Sequence, residues 1–212
     1  MTTLENKHNN LSKIIRSNLI QIRSKLSKDE MQIGSKKIES LLLKWISSIT
    51  NNIHLKTHTD KINLAGFWPL KYEPCLIDFL HICSSNQKLN ICLPTIEKID
   101  HPLSFKLWKT ETIMKTGKFN ILEPLSTKYL IPNIILIPTL GFTKNGDRIG
   151  YGKGYYDRTL SNLMENGQKF ISIGISWECG LITDIAYKAA PHDIPLDAIL
   201  TTKGWEKELQ LT

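Results

Sequence analysis

The sequence predicts an α/β sandwich built on a mostly parallel sheet. Two observations carry this expectation. Short, almost wholly apolar runs recur along the chain, as strands buried on both faces require. Segments with helical periodicity separate several of these runs, the alternation expected of crossover connections.

The elements follow in order. Leu11, Ile15, Leu19, Ile22 and Leu26 recur at helical spacing and predict an amphipathic helix over residues 11–26. Ser27 with Glu30 reads as a capping box that opens a second helix. That helix places Gly34, Ile38, Leu41, Leu42, Trp45 and Ile49 on one face. Residues 51–61 are polar and predict a loop. Residues 62–67 form a buried strand closed by Pro69, and residues 74–83 a helix with Pro74 in its first turn. Further strands are expected over 89–93, ended by Pro94, and over 103–107. Another lies between Pro132 and Pro138, through Ile134, Ile135, Leu136 and Ile137. A glycine-rich loop leads into a helix over 155–164 that ends near Asn166-Gly167, and strands follow over 170–175 and 198–202. No internal repeat or low-complexity stretch interrupts the pattern.

Composition bounds the function. The 212 residues fit one domain, and 41% hydrophobic with 22% charged residues is enough for a globular core. No apolar run approaches the roughly 20 residues of a membrane span, and residues 1–10 lack the apolar stretch of a secretory signal. The expectation is therefore a cytoplasmic protein without a membrane partner. Cys75, Cys83, Cys92 and Cys179 form no C-x-x-C pair, so they read as free thiols of a reducing compartment, not as a zinc site. His54 and His58 stand four apart within the polar loop, a weak arrangement for a metal. The net charge of +7 suits anionic ligands, but it is spread along the chain, so no nucleic-acid partner is expected.

The informative segment runs from Pro138, Gly141 and Phe142 through Gly146, Asp147 and Arg148 to Ile149-Gly150-Tyr151-Gly152-Lys153-Gly154-Tyr155-Tyr156-Asp157. It follows a buried strand and opens a helix, at the carboxyl edge where open α/β sheets bind ligands. Free N–H groups at a helix N-terminus suit phosphate, and alternate glycines let the backbone approach a ligand closely. Arg148 and Lys153 can neutralise phosphate charge, and Asp157 can hold a Mg²⁺ on phosphate oxygens. The spacing fits neither a P-loop nor G-x-G-x-x-G. On chemistry alone, a phosphate cradle and a tight structural turn with flanking charge both remain open.

This run closely resembles the signature of the 5-formyltetrahydrofolate cyclo-ligase family. The likeness extends to Arg16 in the first helix, to Phe67-Trp68-Pro69-Leu70-Lys71-Tyr72-Glu73, to residues 108–124, and to His192-Asp193-Ile194-Pro195-Leu196-Asp197. It implies a three-layer α/β/α sandwich similar to the sugar-phosphate isomerase and CoA-transferase group. It also implies ATP and Mg²⁺ as co-substrate and cofactor, with 5-formyltetrahydrofolate, free or polyglutamylated, as substrate of a monomeric enzyme.

The resemblance assigns roles residue by residue. Arg16 and Arg148, Ile149, Gly150, Tyr151, Gly152, Lys153, Gly154, Tyr155 and Tyr156 become ATP contacts, with Lys153 and Arg148 acting in catalysis. Trp68 and Glu73 become folate contacts, shared with residues 151–155, and Asp157 becomes a magnesium ligand. Taken alone, Glu73 before Pro74 reads as an acid complementing a helix dipole, and Lys13 with Arg16 as a solvated helix face. The sequence departs from the family twice. The lysine usual four residues before Arg16 is Ser12, with Lys13 beside it as the candidate replacement. The carboxylate usual before Asp193 is replaced by Ala190 and Pro191, which leaves Asp193 as the second candidate metal ligand. Three rival readings are an inactive relative, a sugar-phosphate or CoA-transferase relative, and a nucleic-acid binder.

Overall fold

In the computed structural model of the chain, residues 3–51, 61–184 and 186–209 are described. The loop expected over 51–61 and the pair His54 and His58 fall almost wholly outside them.

Two long helices come first, α1 (Thr3–Arg23) and α2 (Lys28–Asn51). The capping box between them forms as expected. The Ser27 hydroxyl accepts from the Glu30 amide at 3.2 Å, and Glu30 Oε2 accepts from the Ser27 amide at 2.8 Å. The first helix ends three residues before the expected Leu26, because the turn that presents Ser27 for capping needs those residues. Its buried face also differs from the expectation. Leu19 is buried, but Ile22 is 44% exposed and the residue four past Leu19, Arg23, is 1% exposed.

The sheet is assembled from β1 (Ile62–Ala65), β2 (Leu89–Thr95), β3 (Ser104–Leu107), β6 (Ile134–Pro138), β9 (Ile171–Ile175), β10 (Ala198–Thr201) and β11 (Gly204–Lys207). Their order is β11-β10-β9-β6-β1-β2-β3. The five strands from β10 to β2 are parallel, and the edge strands β3 and β11 are antiparallel. Two small hairpins sit outside this sheet, β4 (Met114–Thr116) with β5 (Leu122–Pro124), and β7 (Gly141–Phe142) with β8 (Arg148–Ile149).

Helices cover both faces. Ile38, Leu42 and Ile46 of α2 and Phe79, Leu80 and Cys83 of α3 (Ile77–Ser84) pack on Leu64, Ile91, Leu136 and Ile173. On the opposite face Leu160 and Leu163 of α4 (Tyr155–Glu165) pack on Ala65, Cys92, Ile135 and Ile137. Alternate residues of the central strands thus feed two cores, which makes the expected three layers. The third helix begins three residues later than expected. Cys75 donates its amide to Ser35 Oγ at 3.0 Å, so the Pro74-Cys75 segment is pinned to α2 and the helical bonding starts from Leu76.

Candidate active site

A cavity of about 810 Å³ opens over the carboxyl ends of β1, β2 and β6, where Phe67, Trp68, Pro94, Ile96 and Pro138 lie. Every residue given a ligand or catalytic role from the resemblance lines it. Lys13 and Arg16 come from α1, Trp68 and Glu73 from the segment after β1, and Asp193 from the C-terminal loop. Arg148 to Asp157, the whole glycine run, forms another wall. Residues more than a hundred positions apart in sequence are therefore brought to one surface by the sheet's carboxyl edge.

The glycine run leaves the β7–β8 hairpin and enters α4. Gly152 has φ +83° and Gly154 φ +65°, both in the left-handed region that disfavours any Cβ. Space is short as well. A Cβ on Gly152 would stand 3.1 Å from Arg16 Cζ, and one on Gly154 2.8 Å from Arg158 Nη1. The same two arginines hold the loop by its carbonyls. Arg16 Nε donates to Gly150 O at 2.8 Å, and Arg158 Nη2 donates to Lys153 O at 2.7 Å. Lys153 itself stays at the surface, its ammonium 5.5 Å from the centre of the Phe119 ring.

Arg148 lies deeper and pairs with Asp157 across one turn of chain, Nη2 to Oδ1 at 2.6 Å. Its carbonyl accepts from the Tyr187 hydroxyl at 3.5 Å. Asp193 uses Oδ2 to accept the Ala190 amide at 2.8 Å, and its Oδ1 lies 3.8 Å from His192 Nε2. Asp157 and Asp193 are thus two carboxylates on one cavity, each partly engaged by protein. Among the described residues no group of three or more His, Cys, Asp or Glu side chains is placed to hold a metal. Two hard oxygen donors are nevertheless the usual protein share for Mg²⁺, which takes its other ligands from phosphates and water.

Glu73, also in the cavity lining, is buried, 6% exposed. Its Oε2 accepts the Leu70 amide at 2.7 Å, and its Oε1 has no hydrogen-bond partner among the described residues. Burial pushes its carboxyl group upward, opposed by the Leu70 amide and by the charge of Arg23. The helix-dipole reading of Glu73 does not hold: α3 begins four residues later, and its N-cap is Leu76.

Several lining residues carried no sequence signal strong enough to single them out. Phe119, Ile121 and Leu122 come from the β4–β5 hairpin, whose strands span only three residues each. Arg158 also lines the cavity, and Tyr155 packs beneath its guanidinium at 5.0 Å. Arg23 lies behind the lining, and a signal for it existed. It sits seven residues, two helical turns, past Arg16 and so on the same face of α1.

The fold and the cavity define an α/β protein with a cavity over the carboxyl edge of its sheet, apolar in part and rich in cations. The chain belongs to the 5-formyltetrahydrofolate cyclo-ligase family, whose profile matches residues 8–202. A 5-formyltetrahydrofolate cyclo-ligase of Mycoplasma pneumoniae is 28% identical over 186 residues, covering 88% of this chain and 95% of that protein. One from Haemophilus influenzae is 33% identical over 120 residues, covering 54% of this chain and 62% of that protein. Among solved structures, the 5,10-methenyltetrahydrofolate synthetase of Aquifex aeolicus superposes with a TM-score of 0.74 at 24% identity. That superposition covers 95% of this chain and 94% of the other, so the two share their fold over nearly the whole length.

Proposed function

We propose that the protein is an ATP-dependent 5-formyltetrahydrofolate cyclo-ligase that forms 5,10-methenyltetrahydrofolate. The observation that carries this is the shared cavity. A cation-rich glycine loop and a buried carboxylate, Glu73, line the same ≈ 810 Å³ space, so a polyanion and a ring bearing N–H donors can be held against each other.

The reaction joins two ligands without an enzyme nucleophile. The formyl oxygen attacks the γ-phosphorus of ATP and ADP leaves, giving an imidate phosphate. N10 then attacks the formyl carbon, the C–O bond breaks to release phosphate, and the N10 proton passes to solvent as the ring closes. The chain's part is alignment and charge. Arg16, Arg148 and Lys153 face the triphosphate with the backbone of residues 149–156. Lys13, next to Ser12 on the cavity wall, adds a further cation to the nucleotide side. Trp68 lends the folate apolar surface, and Glu73 takes a bidentate contact from the pterin amino group and adjacent N–H. Asp157 and Asp193 would hold Mg²⁺, which neutralises developing charge on the phosphates.

The test is direct. Purified protein given 5-formyltetrahydrofolate, Mg²⁺ and ATP should produce the near-ultraviolet absorbance of methenyltetrahydrofolate, and the ATP-free control should not. A folded protein giving no product in either arm refutes the proposal in favour of an inactive or sugar-phosphate-binding relative.

A further inference from the structure

The glycine loop has two ends, and a different arginine holds each. Arg16 of α1, with Lys13 one turn before it, meets the Gly150 end. Arg158, in the first turn of α4, meets the Gly154 end, where Nη2 donates to Lys153 O at 2.7 Å.

The wall beside Arg158 is apolar. Leu103 donates its amide to Thr159 Oγ1 at 2.8 Å, which seats the β2–β3 connection against α4. Ile96 donates its amide to Glu123 Oε1 at 2.9 Å, and Lys118 Nζ donates to Glu97 O at 2.9 Å, which seats the β4–β5 hairpin on the same connection. The hairpin tip reaches the glycine loop, with the Phe119 ring 6.1 Å from that of Tyr155. Ile96, Leu103, Phe119, Ile121 and Leu122 line the cavity here, and none is fully buried. Phe119 is half exposed although it sits at φ +58°, a costly conformation for an aromatic residue. Apolar side chains left open on a cavity wall call for an apolar group in the ligand.

Arg158 stands at the solvent edge of this slot, half-buried and already fixed in place. The Lys153 carbonyl holds it, and the Tyr155 ring lies 5.0 Å from its guanidinium. Its ion pair among the described residues is with Asp100 of the β2–β3 connection, at 3.9 Å, and Asp100 is mostly in water. Such a long, exposed pair contributes little, so a ligand carboxylate can displace it and use the guanidinium instead.

We propose that Arg158 is a specificity-determining residue that takes a carboxylate of the substrate's glutamate tail, while the aryl ring before that tail lies in the apolar slot. This rests on reading the cavity as a folate site. 5-Formyltetrahydrofolate fits the pairing, because its pterin is followed by a benzoyl ring and then by a glutamate with two carboxylates. The rival occupant for Arg158 is a phosphate of the nucleotide.

The experiment compares two substrates. One is 5-formyltetrahydrofolate. The other is 5-formyltetrahydropteroyl butylamide, which keeps the reacting formyl group, N10 and the aryl ring but has no carboxylate. Wild-type kcat/KM should be about tenfold or more higher for the first, the size of one charge-assisted contact. In Arg158→Leu and Arg158→Gln that preference should shrink to less than about twofold, and Arg158→Lys should keep part of it. A loosened glycine loop would slow both substrates alike and leave their ratio unchanged, so the ratio separates recognition of the tail from support of the loop. Equal kcat/KM for the two substrates in the wild type overturns the proposal without any variant. So does a wild-type ratio that persists in the leucine and glutamine variants, a defect confined to KM for ATP, or failure of both neutral variants to fold. If the wild type turns over neither substrate, the folate reading fails instead, and the two failures are told apart.

Discussion

Lys153 and the cysteines show how far one side chain's surroundings decide its chemistry. Lys153 is exposed, and the loop backbone beside it is held by Arg16 and Arg158. Replacing it with alanine removes a charge without opening a hole in the core. Turnover of Lys153→Ala should therefore fall by about 10²–10³, the cost of losing one preorganised charge contact in the transition state. The thermal midpoint should stay where it is, and near-wild-type turnover would remove Lys153 from the mechanism. Thiols give a second expectation. Burial pushes Cys83 up to about 12 and Cys92 higher still, while Cys75 lies at the surface. A raised value means less thiolate at a given pH, and the thiolate is the reactive form. At about pH 8, near the ordinary thiol value, a disulfide reagent should label Cys75 quickly and reach Cys83 and Cys92 only after unfolding. Rapid labelling of either buried thiol in the folded protein would contradict the packing described.

At the scale of elements, legibility followed length and periodicity. Helices with several turns and strands buried on both faces advertise themselves, so α2, α4 and the central strands fell within a few residues of expectation. The hairpins β4–β5 and β7–β8 are two or three residues per strand, too short for an alternation to register. Phe119, which they bring to the cavity, sits at φ +58°, a conformation no sequence pattern announces for an aromatic residue. The misjudged face of α1 has a different cause. Hydrophobicity selected Ile22 for the core, while the four-residue step from Leu19 selects Arg23, and only the fold supplies the carbonyls that make burial of an arginine tolerable. The glycine loop was legible because its chemistry and its backbone geometry demand the same residues. That agreement predicts the result of Gly152→Ala. A methyl group at φ +83° and 3.1 Å from Arg16 Cζ must shift either the loop or the guanidinium. KM for ATP should rise by about 5- to 150-fold, which corresponds to the roughly 1–3 kcal/mol that such strain costs. The midpoint of thermal unfolding should move little, because the loop lies outside the two sheet cores. An unchanged KM for ATP would show that the loop does not approach the nucleotide.

For the whole molecule, the cavity is the place where separate parts of the fold meet. Its walls come from α1, from the ends of β1, β2 and β6, from the β4–β5 hairpin, from the glycine loop and from the C-terminal segment around Asp193. None of these would stay in register in an unfolded chain, so the ligands bind the native state and stabilise it by mass action. At about a hundred times its dissociation constant, a single ligand adds about 2.7 kcal/mol. For a chain of this size each kcal/mol raises the midpoint by roughly 2–4 °C, so ATP with Mg²⁺ should raise it by roughly 5–11 °C in a thermal-shift measurement. On the proposed reading the two ligands share one loop, Tyr151 to Tyr155, so a bound nucleotide would order part of the surface the folate uses. The shift with ATP and a non-reacting folate together should then exceed the sum of the separate shifts, which is the signature of positive coupling. Lys153→Ala should lose most of the nucleotide shift and a smaller part of the folate shift, because Trp68 and Glu73 also hold the folate. Equal loss of both would mean that the loop serves the two ligands as one rigid unit, and strictly additive shifts in the wild type would mean that nucleotide and folate occupy the cavity without touching.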